Sequence, residues 1–115
     1  MLIYALVVLA IGAVGGLVLA SHVLRSKLAP WPLSLLHAAL GAAGLLLILY
    51  AASTTSVPRA ALIALVILAV AALGGFYLAS IHLRGEVAAR SVVVIHAGVA
   101  VLGFLTLFGA VLGVL

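Results

Sequence analysis

Four long apolar segments alternate along the chain with short polar stretches that carry its charges. The uncharged segments are residues 1–24, 28–58, 60–83 and 91–115. A helix needs about 20 apolar residues to cross roughly 30 Å of hydrocarbon, so each segment is long enough for one crossing. Strands of a membrane barrel would alternate apolar and polar residues, whereas these segments are unbroken runs of Leu, Val, Ile and Ala. The pattern therefore predicts an all-α, polytopic membrane protein with four transmembrane helices.

Proline and glycine mark where the predicted helices begin and end. Pro32 and Pro58 suit helix starts, because proline lacks no N–H that is needed there. Gly85 supplies the turn between the third and fourth segments. The predicted helices cover residues 2–25, 32–52, 59–84 and 90–114.

The composition identifies lipid as the main solvent of this chain. Of its 115 residues, 70% are hydrophobic and 5% are charged, which is more apolar surface than one soluble core of this size can hide. We therefore expect the lipid bilayer to be its principal partner. A cleaved signal peptide is the alternative for the first segment, but that segment has no basic start and a second half of similar design follows it.

The few charges predict the orientation in the membrane. Arg25 and Lys27 follow the first predicted helix, and Arg84 and Arg90 follow the third, whereas the central connection carries only Arg59. Because basic loops stay on the cytoplasmic side, both termini are predicted to lie outside, in the periplasm of an inner-membrane protein. Anchoring explains most of the net charge of +4, and no nucleic-acid partner is expected.

The two halves of the chain follow one design. When the sequence is shifted by 59 residues, a glycine pair, an arginine and a histidine fall on residues of the same kind in one register. Apolar bias alone would match leucines and alanines but not these residues, so we predict an internal repeat. The chain is then one membrane domain, 1–115, with a first repeat at 1–56 and a second at 57–115. The matched residues of the first half are Gly15, Gly16, Leu19, Ala20, Ser21, Leu24, Arg25, Ala29, His37, Ala38 and Gly44.

The repeat predicts how the helices are arranged. A unit of two helices returns the chain to its starting side, so the two repeats are parallel. In an up-down-up-down bundle, the second and fourth helices face each other diagonally. His37 and His96 are then symmetry mates that point at the central axis, each about 8–9 Å inside its predicted helix.

These two histidines are the strongest candidates for a functional site. An ionisable residue inside a membrane is costly and marks function by default. Two imidazoles that face each other across a helical bundle suit the axial positions of a six-coordinate b-type haem. His37 and His96 are therefore the predicted metal ligands, and one haem b is the predicted cofactor. A polar link between helices is the alternative.

Glycines and arginines near this pair extend the predicted site. Gly44 and Gly103 follow the two histidines by seven residues, on the same helix faces, and are predicted to make room for the flat macrocycle. Close helix packing is the alternative for both glycines. Arg25 and Arg84 are predicted to meet the haem propionates at the cytoplasmic rim, with simple membrane anchoring as their alternative.

Two further histidines, His22 and His82, close the first and third segments in "SHVLR" and "SIHLR". They differ by one position in the repeat register, which is about 100° of helix rotation, so they cannot face the axis in equivalent ways. A symmetric second haem is therefore not expected. Both remain candidate cofactor-binding residues, with four roles open: a propionate or carbonyl partner, a proton carrier, a second haem site of different construction, or a side chain that snorkels to the interface.

The stretches "LHAALGAAG" around His37 and "IHAGVAVLG" around His96 complete a resemblance. The chain resembles the small four-helix membrane cytochromes b, such as the cytochrome b561 group, in helix count and in its inward histidine pair. The resemblance implies electron transfer, with quinol as donor or acceptor. That group usually holds one haem near each membrane face, whereas all four histidines here lie toward one face. We therefore expect electron exchange with a quinone or a partner subunit at the cytoplasmic side.

Three other classes of function are alternatives to electron transfer. A four-helix drug exporter would resemble its relatives in a membrane glutamate on the first helix, but Glu86 is the only acidic residue here. A transition-metal carrier would use the imidazoles, but the chain has no cysteine and no membrane carboxylate to balance a cation. A cofactor-free accessory or structural subunit of a larger membrane complex stays open, as does a homo-oligomer.

Overall fold

The computed structural model describes all 115 residues as four helices joined by short connections. Helix α1 spans Leu2–Leu24, α2 spans Trp31–Thr54, α3 spans Arg59–Leu83 and α4 spans Arg90–Leu112. A helix of this length measures about 35 Å and can cross a bilayer. The predicted boundaries agree with these to within two residues, and the all-α, four-helix fold class is confirmed.

The two ends of the bundle differ in charge. Because the helices alternate in direction, the turns after α1 and α3 lie at the same end, together with Arg25, Lys27, Arg84 and Arg90. We call this the basic end. The chain termini and the α2–α3 connection lie at the opposite end of a bundle that measures 43 × 21 × 19 Å.

The helices pack as two hairpins. Helix α1 packs extensively on α2, and α3 on α4, whereas α1–α4 and α2–α3 contacts are sparser and the diagonal backbones stay apart. Each half of the chain therefore forms one closely packed pair of helices. We call the looser boundary between the two hairpins the seam.

Most large side chains face outward, and alanine and glycine make up most of the buried residues. Leu17, Leu73 and Ile95 are 67%, 68% and 66% exposed, and no polar or charged residue is fully buried. Small residues at the helix contacts let backbones approach closely, which is how helices associate in lipid. A surface this apolar would not be stable in water, so the chain is membrane-embedded.

The best-packed part of the interior lies in the half away from the basic end. One cluster of fully buried apolar residues occupies it and draws on all four helices, whereas the basic half holds the glycine pairs and the histidines. The candidate site therefore lies where the interior is least filled by aliphatic side chains. The cluster comprises Ala5, Leu6, Ile48, Ala61, Ala64, Leu68, Leu107 and Ala110.

Helices α1 and α3 end in equivalent turns. Ser26 and Gly85, which are 59 residues apart, both take the left-handed conformation, with φ of 56° and 73°. In the first turn the N–H of Lys27 donates to the carbonyl of His22 at 2.8 Å, and in the second Glu86 donates to Ile81 at 3.2 Å. Glycine adopts this conformation without a steric cost, whereas serine does not.

We expect Ser26→Gly to stabilise the protein, because it removes the steric cost at this turn. The expected gain is about 0.5–1 kcal/mol in the free energy of unfolding, and Gly85→Ser should lose a similar amount. Thermal unfolding of both variants in detergent, followed by circular dichroism, measures the change. A Ser26→Gly variant that is less stable than the parent would show that the serine hydroxyl matters more than the backbone conformation.

Candidate functional site: a facing pair of histidines

The structure brings His37 of α2 and His96 of α4 together across the seam. Their ring centroids lie 6.3 Å apart and their planes meet at 84°. The two side chains come from diagonal helices whose backbones do not touch. They therefore meet near the centre of the bundle, as the repeat predicts.

Each ring is held by one hydrogen bond to a neighbouring backbone. The Nδ1 of His37 lies 2.8 Å from the carbonyl oxygen of Gly12, and the Nδ1 of His96 lies 2.9 Å from that of Ala71. The first bond links α1 to α2 and the second links α3 to α4. The two bonds are equivalent in the 59-residue register. Since a carbonyl oxygen only accepts, Nδ1 carries the proton in both rings and donates it.

This bond determines the chemistry of the other ring nitrogen. In a neutral imidazole that is protonated on Nδ1, Nε2 carries a free lone pair. Neither Nε2 has a hydrogen-bond partner within the protein, and neither is sealed from its surroundings. A histidine that binds a metal through one nitrogen commonly donates its other N–H to a carbonyl in this way.

Glycines of the neighbouring helices form flat walls against the two rings. A Cβ atom built on Gly16 would lie 2.8 Å from Cε1 of His37, and one built on Gly75 would lie 3.2 Å from Cε1 of His96. Cβ atoms at Gly15 and Gly74 would also reach His37 and His96, at 4.0 and 3.5 Å. These glycine pairs therefore leave room for the imidazoles themselves.

The two glycines that lie farther from the basic end than the histidines, Gly44 and Gly103, pack against leucines. A Cβ on Gly44 would collide with Leu9 of α1, and one on Gly103 would lie 2.7 Å from Cγ of Leu68 on α3. These two contacts are again equivalent in the repeat register. The structure thus gives Gly44 and Gly103 a role in helix packing, and contact with a cofactor stays a prediction for both.

His82 and His22 have different surroundings, in line with their different registers. The Nε2 of His82 lies 2.7 Å from the carbonyl oxygen of Ala29 and therefore donates to it, while its Nδ1 lies 2.6 Å from the Ser34 hydroxyl. Trp31 stacks edge-on against the same ring at 5.0 Å. His22 bonds only the carbonyl oxygen of Val18 in its own helix, at 2.8 Å.

These contacts separate the four histidines by chemistry. Both ring nitrogens of His82 form hydrogen bonds with residues at or just before the start of α2. His22 forms a hydrogen bond only within its own helix, α1. Neither is joined to the central pair by any hydrogen bond or ring contact. A role for His22 or His82 in cofactor binding stays a prediction, whereas His37 and His96 have the free nitrogens that ligation needs.

The two predicted arginines lie at the basic end, in solvent-exposed positions. Arg25 folds back on its own helix, where Nε donates to the carbonyl oxygen of Ser21 at 3.0 Å. Arg84 lies 3.9 Å from the carboxylate of Glu86, with both side chains more than half exposed. Neither arginine contacts the histidine pair, and a role of Arg25 and Arg84 as propionate partners stays a prediction.

The sequence did not reveal Ser34 as a partner of His82. Ser34 precedes His37 by three residues, so it lies on the same face of α2, one turn nearer the basic end. The only indication of this contact in the sequence is that Ser34 is a polar residue on that face of α2. Its repeat mate is the buried Val93, so this polar link exists on one side of the seam only.

We expect Ser34→Ala to weaken the bundle, because it removes the only side-chain hydrogen-bond partner of His82 and one link between α2 and α3. The expected loss is about 0.5–1.5 kcal/mol in the free energy of unfolding. Ser80→Ala is the matched control, since the Ser80 hydroxyl bonds only the carbonyl of Tyr77 in its own helix. Equal melting temperatures for the two variants would show that the Ser34–His82 bond adds nothing to stability.

Comparison with known proteins gives no further guide to this site. No family model, no curated protein and no solved structure matches the chain.

Proposed function

We propose that the chain binds a haem b between His37 and His96 and transfers electrons within the membrane. The observation that carries this proposal is the facing pair of imidazoles, each with its Nδ1–H bonded to a backbone carbonyl and its Nε2 free. The neutral Nε2 of histidine is one of the usual axial ligands of haem iron.

The donor set suits haem better than a bare metal ion. A bare transition-metal ion usually takes three or four protein ligands, and no group of three or more His, Cys, Asp or Glu side chains gathers anywhere in this chain. A porphyrin supplies four nitrogen ligands of its own, so two imidazoles complete the coordination of its iron. The same comparison weakens the alternative of a transition-metal carrier.

The separation of the rings also suits a shared metal ion. An ion bound in line between two imidazole nitrogens at about 2.0–2.1 Å each, with each ring centroid about 1.2 Å behind its nitrogen, would put the centroids about 6.4–6.6 Å apart. The observed separation is 6.3 Å. The rings also face each other across the seam, where the packing between helices is loosest.

The protein's own contribution is to hold and orient the two histidines. The carbonyl oxygens of Gly12 and Ala71 fix Nδ1 as the protonated nitrogen of both imidazoles and orient both rings, and the half-buried rings lie among apolar helices. A bound haem b supplies the one-electron redox chemistry. If His37 and His96 both bind the iron of a haem b, they would leave it no position for a substrate, which favours electron transfer over catalysis at the metal. Arg25 and Arg84 at the basic end are the proposed partners of the propionates.

We also propose an orientation in the membrane and the kind of redox partner. The excess of Arg and Lys at the basic end favours an inner-membrane protein with this end in the cytoplasm and both termini outside. Electrons would then pass to or from a quinone or a partner subunit near that side, where the histidine pair lies. A homo-oligomer is compatible with the apolar outer surface.

One observation favours a second function, that of a cofactor-free accessory or structural subunit. The bonds from His37 to Gly12 and from His96 to Ala71 each join the two helices of a hairpin. Hydrogen bonds of this kind stabilise helix association in membranes without any cofactor. The histidines would then serve the fold alone, and their free Nε2 atoms would have no use.

We expect detergent-purified protein from haem-replete cells to show the sharp α and β absorption bands of six-coordinate haem when reduced with dithionite. His37→Ala and His96→Ala should each abolish this spectrum, because each removes one axial ligand. His22→Ala and His82→Ala are the matched controls and should retain it. A featureless parent spectrum would favour the accessory subunit, and an unchanged spectrum in His37→Ala would remove that residue as a ligand.

The proposed orientation can be measured with single cysteines, since the natural chain has none. Ser56→Cys lies in the α2–α3 connection and Ser26→Cys in the α1–α2 turn, and both side chains are exposed. We expect a membrane-impermeant maleimide to label Ser56→Cys on intact cells and Ser26→Cys only after lysis. The reverse labelling pattern would contradict the orientation.

A further inference from the structure

The imidazole rings of the central pair are restrained on two sides. On one side, Nδ1 donates to the carbonyl of Gly12 for His37 and of Ala71 for His96. On the other side, the ring lies against Gly16 or Gly75 in the neighbouring helix of the same hairpin. The ring turns only about its Cα–Cβ and Cβ–Cγ bonds, and such a turn moves Nδ1 away from the carbonyl oxygen. The hydrogen bond therefore restrains the ring plane on one side, and the glycine wall restrains it on the other.

The two walls are not equally tight. A Cβ on Gly16 would lie 2.8 Å from Cε1 and 3.2 Å from Nδ1 of His37, so the ring would have to move. A Cβ on Gly75 would lie 3.2 Å from Cε1 and 3.8 Å from Nε2 of His96, where a small adjustment suffices. A methyl group added at these two positions should therefore disturb His37 more than His96.

We propose that Gly16 and Gly75 are positioning residues that keep the two axial imidazole planes nearly perpendicular. The proposal rests on the proposed function, since the planes matter electronically only when both rings bind one iron. The planes meet at 84° in the structure. Tight helix packing alone would require a small residue here, but would not relate it to the plane of the histidine ring.

The angle between axial ligand planes has a direct electronic consequence. Each imidazole interacts most strongly with the iron d orbital that lies perpendicular to its own plane. Parallel planes act on one orbital and split the pair, whereas perpendicular planes act on both and leave them nearly equal in energy. Ferric low-spin haem with perpendicular ligands accordingly gives a highly anisotropic EPR signal with a very large principal g value, and parallel ligands give a rhombic one. Outer groups that orient ligands are known levers on such centres.

The first test is low-temperature EPR of the oxidised holoprotein and four glycine-to-alanine variants. We expect the parent to give the highly anisotropic signal. Gly16→Ala should lower its largest g value toward a rhombic signal, and Gly75→Ala should lower it less. The matched controls are Gly41→Ala and Gly98→Ala, because a Cβ at either position would meet no atom within 4 Å. Both controls should superimpose on the parent.

Each outcome of this test decides the proposal. A rhombic parent signal would overturn the perpendicular geometry. A parent-like signal in both Gly16→Ala and Gly75→Ala would overturn the role of the glycines. If Gly16→Ala does not fold, Gly75→Ala alone carries the comparison, because its expected clash is milder.

A second measurement needs no haem and separates this proposal from the proposed function. In the apoprotein in detergent micelles, the ring ¹⁵N resonances of His37 should shift in Gly16→Ala while those of His96 stay in place. Gly75→Ala should give the reverse. Unshifted ring resonances would overturn the wall contact itself. Clear shifts in a protein that never gives a haem signal would instead leave the wall intact and overturn the electron-transfer proposal.

Discussion

An imidazole inside a lipid-embedded bundle has an N–H group that must find an acceptor within the protein, because the surrounding hydrocarbon offers none. Here the acceptors are main-chain oxygens of Gly12 and Ala71, one on the partner helix of each hairpin. This requirement fixes the tautomer, turns both rings toward the axis and leaves the second nitrogen of each ring free. The same two bonds also join the helices of each hairpin. The orientation of the histidine rings and the packing of each hairpin therefore depend on one kind of hydrogen bond, which occurs twice.

The distribution of side-chain size makes this interaction accessible. The half of the bundle away from the basic end is closed by residues such as Ile48 and Leu107, which have no exposed surface. In the other half, glycine walls bring the backbone of α1 and α3 close enough for the histidines to reach a carbonyl. Buried aliphatic side chains thus stabilise one half of the bundle, and the hydrogen bonds of the histidines join the helices in the other half. A membrane protein can divide its interior in this way because lipid exerts no hydrophobic force that would collapse the looser half.

Much of this structure follows from the sequence. Uncharged runs define the helices, and Pro58 and Gly85 lie within a residue or two of their ends. The 59-residue register places His37 and His96 on diagonal helices at one depth, and the structure brings their rings within 6.3 Å of each other. The difference in register between His22 and His82 also appears as a difference in their surroundings.

The contacts between side chains could not be predicted in the same way. Every helix here is hydrophobic on all sides, so the sequence does not indicate how each helix is rotated about its axis. The insertion of Leu9 at Gly44 depends on that rotation, as does the bond from His82 to Ser34. The contact of the glycine pairs with the imidazole rings depends on the same rotation.

The central claim is that two particular imidazole nitrogens bind one iron. Electron–nuclear double resonance of the ferric protein, with histidine labelled by ¹⁵N at Nε2, measures this directly. The account predicts two ¹⁵N couplings of axial-ligand strength in the parent protein and in a variant that lacks both His22 and His82. The absence of any such coupling, or its dependence on His22 or His82, would contradict the claim.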